Sequence, residues 1–338
     1  MELAVNLIFS DAAALAERAE ELGYELALAP EGYRSDAASV LGLVAGRTRR
    51  IALGTCAMQI PARPPATAAL TAATLDSISG GRLRLGLGVS NPDVSEGWYG
   101  VPFERPLERT REYVEIVRAA LRGDPVTYQG RHFRLPAGGR QAAPLHLYTA
   151  GHRPDLPIYL AAVGPANLRL AGEIADGWLG AFVSPEAVAD ACRHIERGRA
   201  RRGGELPDFA VIPCVPAAVD TDPGEAADRL RGQYGYLMGI GDRDTNIYCG
   251  LARRLGFAEA VDRIHEHVAA GDHAAAAAAV PFELINATAL LGPTERIAAR
   301  LAEYRDAGAT TVSIMVSAAD TDLAGRLQIL ETCAAAAA

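Results

Sequence analysis

Short apolar runs alternate with amphipathic stretches along most of the chain, and this alternation restricts the possible fold more than any other feature. Each run is about five to eight residues long, which is typical of buried parallel strands. The runs begin near Leu3, Glu25, Arg50, Arg82, Pro157, Asp176, Asp208 and Ala309. Eight strands joined by crossover helices predict an α/β fold, and eight is the number that closes a (β/α)8 TIM barrel.

The stretches between the runs carry apolar residues at helical spacing. Ile297, Leu301 and Tyr304 recur at i, i+4 and i+7, which makes one apolar stripe that can pack on a sheet. The predicted helices are Ala12 to Leu22, Pro65 to Ser79, Arg109 to Leu121, Ala166 to Ala175, Pro185 to Arg199 and Thr294 to Arg305.

Two segments interrupt the alternation. Residues 91–156 follow the fourth strand and include a Gly-containing stretch, 128–133, that is typical of a small hairpin. Residues 217–308 follow the seventh strand and have a mostly helical pattern. Since no linker is visible, we expect one barrel domain over residues 1–338 with two insertions. Insertions after strands 4 and 7 belong at the C-terminal rim, where barrel enzymes keep their chemistry.

Composition excludes several functions. All 33 basic residues are arginine, so lysine Schiff-base chemistry, pyridoxal phosphate anchoring and a phosphate-loop lysine are ruled out. The net charge of −8 disfavours a nucleic-acid partner. The five cysteines are widely spaced and form no Cys-x-x-Cys pair, and the histidines show no metal-ligand spacing, so we expect no metal. No signal peptide and no apolar run of membrane-spanning length is visible, so the sequence predicts a soluble, cytoplasmic protein without membrane contact.

Small residues end two of the predicted strands. Gly86 and Gly88 end the fourth strand and precede Ser90 and Asn91, where they remove side chains that would keep a ligand from the backbone. Because residue 91 is Asn, the dinucleotide pattern G-x-G-x-x-G fails, and the glycines equally fit a crowded barrel interior.

The fifth strand runs directly into a helix through a second set of small residues. A helix start with unpaired N–H groups attracts anions, although a βα turn that needs glycine is an equally valid explanation. The residues of this set are Ala161, Ala162, Val163, Gly164 and Pro165.

Polar and aromatic residues follow other strands and are expected at the same rim. Glu31 and Tyr33 follow the second strand, and Thr55 follows the third, ahead of Gln59 and Arg63. After the fourth strand, Glu96 and Tyr99 lie in the stretch Ser95-Glu96-Gly97-Trp98-Tyr99. By location, Glu31, Tyr33, Glu96 and Tyr99 are the candidate catalytic residues, and their types suit proton transfer.

Several segments, taken in order, resemble the bacterial luciferase-like superfamily. The similarity is carried by Thr55-Cys56-Ala57, by 72–88 with its Ser79-Gly80-Gly81-Arg82, and by 161–165; it continues through 171–177, Asn246-Ile247-Tyr248 and 291–297. The chain is most similar to the branch that contains methylenetetrahydromethanopterin reductase, whose members use the deazaflavin coenzyme F420. Other branches use FMN and oxygen.

The resemblance implies roles for specific residues. Cys56-Ala57 corresponds to a non-proline cis peptide bond that backs the cofactor ring. The segment 161–165 corresponds to the one that follows the cofactor to its phosphate, and Glu31 to an acid at the polar edge of the ring. Thr55, Gly88, Ser90 and Asn91 complete the expected cofactor site. Relatives that oxidise sugar phosphates carry His at Gly32 and Glu at Asn91, so that activity is not expected here.

The resemblance implies an F420-dependent oxidoreductase that acts as a reductase. The reaction is hydride transfer between the deazaflavin and an electron-poor C=C, C=N or C=O of a small organic substrate. An FMN-dependent monooxygenase is the first alternative. The second is a cofactor-free barrel that serves as a binding or structural partner, for which a trans Cys56–Ala57 bond is expected. The family also implies a homodimer.

Overall fold

A computed structural model describes residues 1–138, 142–202 and 208–338. Within these residues the strands are β1 (Glu2–Asn6), β2 (Leu26–Ala29), β3 (Ala52–Thr55), β4 (Met58–Gln59), β5 (Leu83–Gly88), β6 (Tyr128–Gln129), β7 (Arg134–Leu135), β8 (Ile158–Ala161), β9 (Gly177–Ala181), β10 (Ala210–Ala218), β11 (Leu290–Leu291) and β12 (Thr311–Met315). The helices are α1 (Ala12–Glu21), α2 (Ala37–Arg47), α3 (Pro65–Ile78), α4 (Pro92–Gly97), α5 (Pro106–Leu121), α6 (Pro165–Ile174), α7 (Pro185–Arg199), α8 (Pro223–Gly239), α9 (Ile247–Arg254), α10 (Ala258–Ala269), α11 (His273–Ala278), α12 (Phe282–Thr288), α13 (Thr294–Asp306) and α14 (Leu323–Ala337).

The eight predicted strands are all present. They are β1, β2, β3, β5, β8, β9, β10 and β12, and each begins within two residues of its predicted start. The six predicted helices are α1, α3, α5, α6, α7 and α13. Helices α2, α4 and α14 were not predicted; α2 and α14 have uncharged, glycine- or alanine-rich stretches that hide the usual alternation of apolar and charged residues.

Tertiary contacts divide the chain into two compact units. The site unit comprises Leu26–Leu179 and Arg193–Ala210, and the terminal unit comprises Met1–Glu25, Gly180–Cys192 and Val211–Ala338. In the site unit the strands follow the order β2-β3-β5-β8-β9 and are parallel. Leu28, Leu53 and Leu85 on these strands are completely buried, because helices and neighbouring strands cover both faces of a parallel sheet.

A buried carboxylate fastens the N-terminal end of β5. Asp76, on α3, has no exposed surface and accepts hydrogen bonds from the Leu83 amide (3.1 Å) and the Arg153 amide (2.8 Å). The Arg153 guanidinium also forms an ion pair with it, with Nη2 2.7 Å from Oδ1. Burial by itself would raise the pKa of Asp76, but the hydrogen bonds from Arg153 outweigh it and hold the pKa below its ordinary value.

In the terminal unit the strand order is β11-β10-β12-β1, again parallel. Leu3 lies opposite Val312, and Cys214 lies opposite Ser313. Helices α1 and α14 pack together beside β1, where the Tyr24 hydroxyl donates a hydrogen bond to the carbonyl of Leu330 at 2.9 Å.

The first insertion contains the predicted hairpin. Strands β6 and β7 pair antiparallel, with Tyr128 opposite Leu135. Sequence reasoning missed Glu112, a buried residue of α5 whose carboxylate accepts hydrogen bonds from the amides of Arg131 (2.8 Å), His132 (2.9 Å) and Phe133 (3.0 Å). This carboxylate attaches the hairpin to α5. Residues 139–141 of this insertion lie outside the described residues.

The second insertion contributes α8 to α12. Within the terminal unit, the Phe182 ring makes edge-to-face contacts with Tyr234 (centroids 5.1 Å apart) and Tyr248 (5.4 Å). These contacts attach α8 and α9 to the loop that follows β9.

Candidate active site

Small residues converge at the C-terminal ends of β5 and β8 and at the turn between β3 and β4, all in the site unit. Gly88 is the last residue of β5, Ala161 is the last of β8, and Ala57 lies directly before β4. A Cβ atom built on Gly88 would lie 3.3 Å from the Cβ of Ala57 and 3.5 Å from the Cβ of Ala161. We call these three residues the floor. Because none of them has more than a methyl group, a flat ligand can approach the main chain closely here.

The two glycines of β5 differ in their surroundings. A Cβ atom on Gly86 would collide with the main-chain oxygen of Thr55 and would lie 2.7 Å from the Leu179 side chain. Thr55 is itself buried, and its hydroxyl donates a 2.6 Å hydrogen bond to the Gly86 carbonyl. Gly86 and Thr55 therefore set the spacing of β3 and β5, and the Thr55 hydroxyl is engaged by the protein.

The peptide bond between Cys56 and Ala57 is cis, as the family resemblance implies and contrary to the expectation for a cofactor-free barrel. The residues between β3 and β4 are also held from β2, since the Cys56 amide donates to the Ala29 carbonyl at 2.8 Å.

Gln59 links three strand ends. Its side-chain Nε2 donates to the carbonyl of Glu31 at 3.0 Å, and its Oε1 accepts a hydrogen bond from the Ser90 hydroxyl at 3.1 Å. Ser90 has a left-handed backbone conformation (φ 67°), which turns the chain sharply after β5. The carboxamide thus joins the exits of β2, β4 and β5.

The side chain of Glu31 is 3% exposed, and several donors surround its carboxylate. Oε1 accepts from the Gln59 amide at 2.9 Å, and Oε2 accepts from Arg63 Nη2 at 2.8 Å and from the Ala37 amide at 3.4 Å. Arg63 also forms an ion pair with Asp36 at 3.3 Å. Glu31 is therefore part of an internal network.

Tyr99 lies close enough to this network to sense its charge. Burial, and after it the Glu31 carboxylate, raises the pKa of the Tyr99 phenol, so the phenol is protonated at neutral pH. Tyr33, in contrast, is 51% exposed.

Glu96 and Asn91 serve the loop after β5. Glu96 is exposed and accepts a hydrogen bond from the Phe103 amide at 2.8 Å. The side chain of Asn91 caps α4 by accepting from the Val94 amide at 2.9 Å. Neither side chain is directed to the floor by these contacts.

The chain leaves the floor at Ala161 and enters α6 without a capping side chain. Gly164 is the N-cap residue with φ 82°, and Pro165 is the first helical residue. Within the described chain, no acceptor is found for the amides of Ala166 and Asn167, which open the helix. These amides and the helix dipole form a site suited to an anion. Val163 beside them is 48% exposed.

Sequence reasoning placed Gln59 and Arg63 at this rim without a role, and it missed Trp178 and Tyr113. The Trp178 indole donates to the Ala162 carbonyl at 2.9 Å, which holds the segment before α6. The Tyr113 hydroxyl donates to the Arg63 carbonyl at 3.1 Å. A tyrosine in the buried stripe of α5 was a usable signal, because its hydroxyl needs a polar partner.

The described residues contain neither a metal-binding cluster nor a membrane-spanning helix. No group of three or more His, Cys, Asp or Glu side chains in that part of the chain is arranged to hold a metal ion. Likewise, none of the helices described is long and apolar enough to cross a membrane.

Comparison with known proteins identifies the family. The model of the luciferase-like monooxygenase family matches residues 6–311. A putative coenzyme F420-dependent oxidoreductase of Mycobacterium tuberculosis is 36% identical over 316 residues, which are 91% of each chain. A 5,10-methylenetetrahydromethanopterin reductase of Archaeoglobus fulgidus is 30% identical, over 87% of this chain and 86% of the relative.

Solved structures agree with the predicted fold. The coenzyme F420-dependent tetrahydromethanopterin reductase of Methanopyrus kandleri superposes with a TM-score of 0.83 at 25% identity, covering 98% of this chain and 97% of that one. An F420-dependent secondary alcohol dehydrogenase has the same fold, with a TM-score of 0.78 at 20% identity, covering 100% of this chain and 99% of that one. The predicted (β/α)8 barrel of parallel strands surrounded by helices is confirmed. The chain belongs to the luciferase-like monooxygenase family and is an oxidoreductase of that family.

Proposed function

We propose that this enzyme is a coenzyme F420-dependent reductase that transfers a hydride between the deazaflavin and an electron-poor C=C, C=N or C=O of a small organic substrate. The observation that carries the proposal is the floor of Ala57, Gly88 and Ala161, which leads directly into the uncapped start of α6. A flat ring and an acidic tail need these two features side by side.

The residues present fit such a cofactor. The Gly88 Cβ position is already at contact distance from two methyl groups, so a larger side chain there would fill the space that a ring needs. At the other end, Gly164 has open space around its Cβ position, and the amides of Ala166 and Asn167 suit a phosphate group. When bound, F420 supplies a hydride donor or acceptor carbon in its central ring.

The protein supplies binding, orientation and a proton. The floor sets the plane of the ring, and the α6 amides hold the acidic tail. Of the four candidate acid–base residues, Tyr99 fits proton donation best, since its phenol is partly buried near the Glu31 carboxylate, whereas Tyr33 is 51% exposed. Glu31 and Glu96 are occupied by hydrogen bonds from the chain itself.

Relatives favour F420 over FMN. The relative of 36% identity is named as a putative coenzyme F420-dependent oxidoreductase. The relative of 30% identity is named as a 5,10-methylenetetrahydromethanopterin reductase. The FMN-containing oxygenating constituent of 3,6-diketocamphane monooxygenase is only 18% identical, so it supports the fold alone.

An anaerobic titration tests the proposal. The purified protein is titrated with F420 and, separately, with FMN, and binding is followed by the fluorescence of each cofactor. We expect F420 to bind and to be reduced or oxidised by hydride exchange without oxygen. Tight binding of FMN together with oxygen-dependent product formation would instead establish the monooxygenase alternative. Failure to bind either cofactor would support the cofactor-free alternative.

We also propose that the chain forms a homodimer through the outer faces of α2 and α3. Leu43 on α2, and Leu70 and Ile78 on α3, are 54%, 49% and 59% exposed. Gly42 and Gly46 lie one turn apart on α2 and have nothing within 4 Å of a Cβ position. Each glycine in a helix interior lowers stability by about 0.5–1 kcal/mol relative to alanine. At these two positions, the missing side chains allow a helix of a second copy to pack close to α2.

A second copy of the chain is the partner that suits this face. Arg47 and the buried Asp76 are the only charged residues in the sequences of α2 and α3. When this face packs against the same face of a second copy, few charges of the same sign are therefore brought together. We expect a mass of about 71 kDa by light scattering, twice the 35.5 kDa of one chain. Leu43→Arg should yield monomers, whereas Leu145→Arg, a change at a residue 77% exposed elsewhere, should not. A monomeric wild-type protein would refute the dimer.

A cytosolic location completes the proposal. It is supported by the cysteines, none of which forms a disulfide.

A further inference from the structure

We propose that Glu31 is a positioning residue for the cofactor and not the proton donor: it fixes the β3–β4 turn (residues 56–59), which carries one third of the floor. This inference rests on the proposed function.

The contacts of the Glu31 carboxylate leave it no free role. Its side chain is 3% exposed, and both oxygens accept hydrogen bonds, from the Gln59 amide at 2.9 Å and from Arg63 at 2.8 Å. The Ala37 amide is a third donor to the carboxylate, at 3.4 Å. Enclosed by these donors, the carboxylate has almost no surface on which to meet a substrate.

Those same contacts determine where the β3–β4 turn lies. Gln59 is bound twice by Glu31, through its amide and through its carboxamide, which donates to the Glu31 carbonyl at 3.0 Å. Gln59 also pairs with Gly88 in the sheet, and Ala57 is only two residues before it. Moving Gln59 would therefore shift the Ala57 methyl group relative to Gly88 and tilt the floor.

The network has further supports around it. Arg63 is held by Asp36 at 3.3 Å, and its carbonyl accepts the Tyr113 hydroxyl at 3.1 Å. Its Nη1 atom is buried without a hydrogen-bond partner in the described residues, and its charge is compensated by Glu31 at 2.8 Å and Asp36 at 3.3 Å. The charged groups of the network are thus two carboxylates and one guanidinium, all within the site unit.

The chain provides a matched control for Glu31. Glu112 is also a buried carboxylate of the site unit that binds backbone amides, but it holds the hairpin of the first insertion. Glu31→Gln and Glu112→Gln each remove one negative charge from an enclosed carboxylate that accepts backbone N–H groups, and Glu31 differs in its additional ion pair with Arg63. In Glu31→Gln, the new NH2 group must face one of two donors, Arg63 or the Gln59 amide, so one of these contacts is lost and the other is made to an uncharged oxygen.

The experiment compares the two variants with purified F420. Kd is measured by quenching of cofactor fluorescence, the seating of the ring by the visible absorption band of the bound cofactor, and stability by Tm. For Glu31→Gln we expect a Kd increase of about 10-fold or more and a band closer to that of free F420. For Glu112→Gln we expect a lower Tm with a Kd within about 2-fold of wild type and an unchanged band.

Each outcome decides the inference. Wild-type Kd and band in Glu31→Gln, or equal losses in both variants, would overturn it. If Glu31→Gln does not fold, Glu31→Asp replaces it, since this variant keeps the charge but is one methylene too short to reach both Arg63 and the Gln59 amide; we expect the same changes in Kd and band, and wild-type values would overturn the inference. A wild-type protein that does not bind F420 overturns the proposed function itself, which distinguishes the two failures.

Discussion

The contrast between the two glycines of β5 gives the sharpest test of the floor. In Gly88→Ala, the new methyl group would lie 3.3 Å from the Ala57 Cβ and 3.5 Å from the Ala161 Cβ. The first distance is slightly shorter than ordinary contact, so neighbours must move by a few tenths of an ångström. Such mild overpacking costs about 1 kcal/mol. For 338 residues the unfolding entropy is about 0.7 kcal/mol/K, so Tm should fall by only about 1 to 2 °C.

The loss of cofactor affinity should be larger than the loss of stability suggests. A methyl group on the floor holds a flat ring away by about 0.5–1 Å, which forfeits at least about a quarter of the dispersion energy. About 14 ring atoms with about three contacts each, at about 0.15 kcal/mol, give about 6 kcal/mol, so the loss is about 1.5 kcal/mol. We therefore expect F420 to bind about 10-fold more weakly.

Gly86→Ala provides the control on the same strand. Its methyl group would collide with the main-chain oxygen of Thr55, which cannot move without disturbing β3. We expect a destabilisation of about 3 kcal/mol or more, a Tm decrease of at least about 4 °C. Calorimetry and fluorescence titration measure both quantities. A Gly88→Ala protein that binds F420 as tightly as wild type would refute the floor as a cofactor surface.

Three further predictions concern other parts of the chain. Asp76→Asn should lower stability by about 3 kcal/mol at neutral pH, measured by urea unfolding, because it breaks a buried ion pair. Since the hydrogen bonds from Arg153 keep the pKa of Asp76 below its unfolded value, this difference should be complete above about pH 4 and shrink as the pH falls further; a pH-independent difference would contradict it. Gly164→Asp should abolish F420 binding by placing a carboxylate at the anion site, whereas Gly164→Ala, with the same backbone strain, should retain most of it; equal affinities would remove the anion site. Burial raises the pKa of Cys249 to about 11 and of Cys333 to about 12, so a thiol reagent at pH 8 should modify them only after unfolding, and rapid labelling of the native protein would show otherwise.

The strand count and the barrel were predictable from the sequence because they depend on periodicity. A run of apolar residues must be buried on both faces, and eight such runs with helices between them leave few alternative arrangements. The small residues at strand ends, such as Gly88 and Ala161, were visible for the same reason, since the C-terminal ends of parallel strands meet at one rim. The missed helix α2 shows the limit of this reasoning: its outer face has glycine and leucine where charged residues would mark a solvent-facing side.

The roles of individual polar residues were decided by the tertiary structure alone. Glu31 was a candidate acid by position, yet Arg63, 32 residues further along the chain, and the amide of Gln59 enclose it. Gly86 and Gly88 are equivalent in the sequence, but only one of them faces a main-chain oxygen that excludes a side chain. Strand periodicity is a local property, whereas a hydrogen bond depends on which residues the register of distant strands brings within about 3 Å.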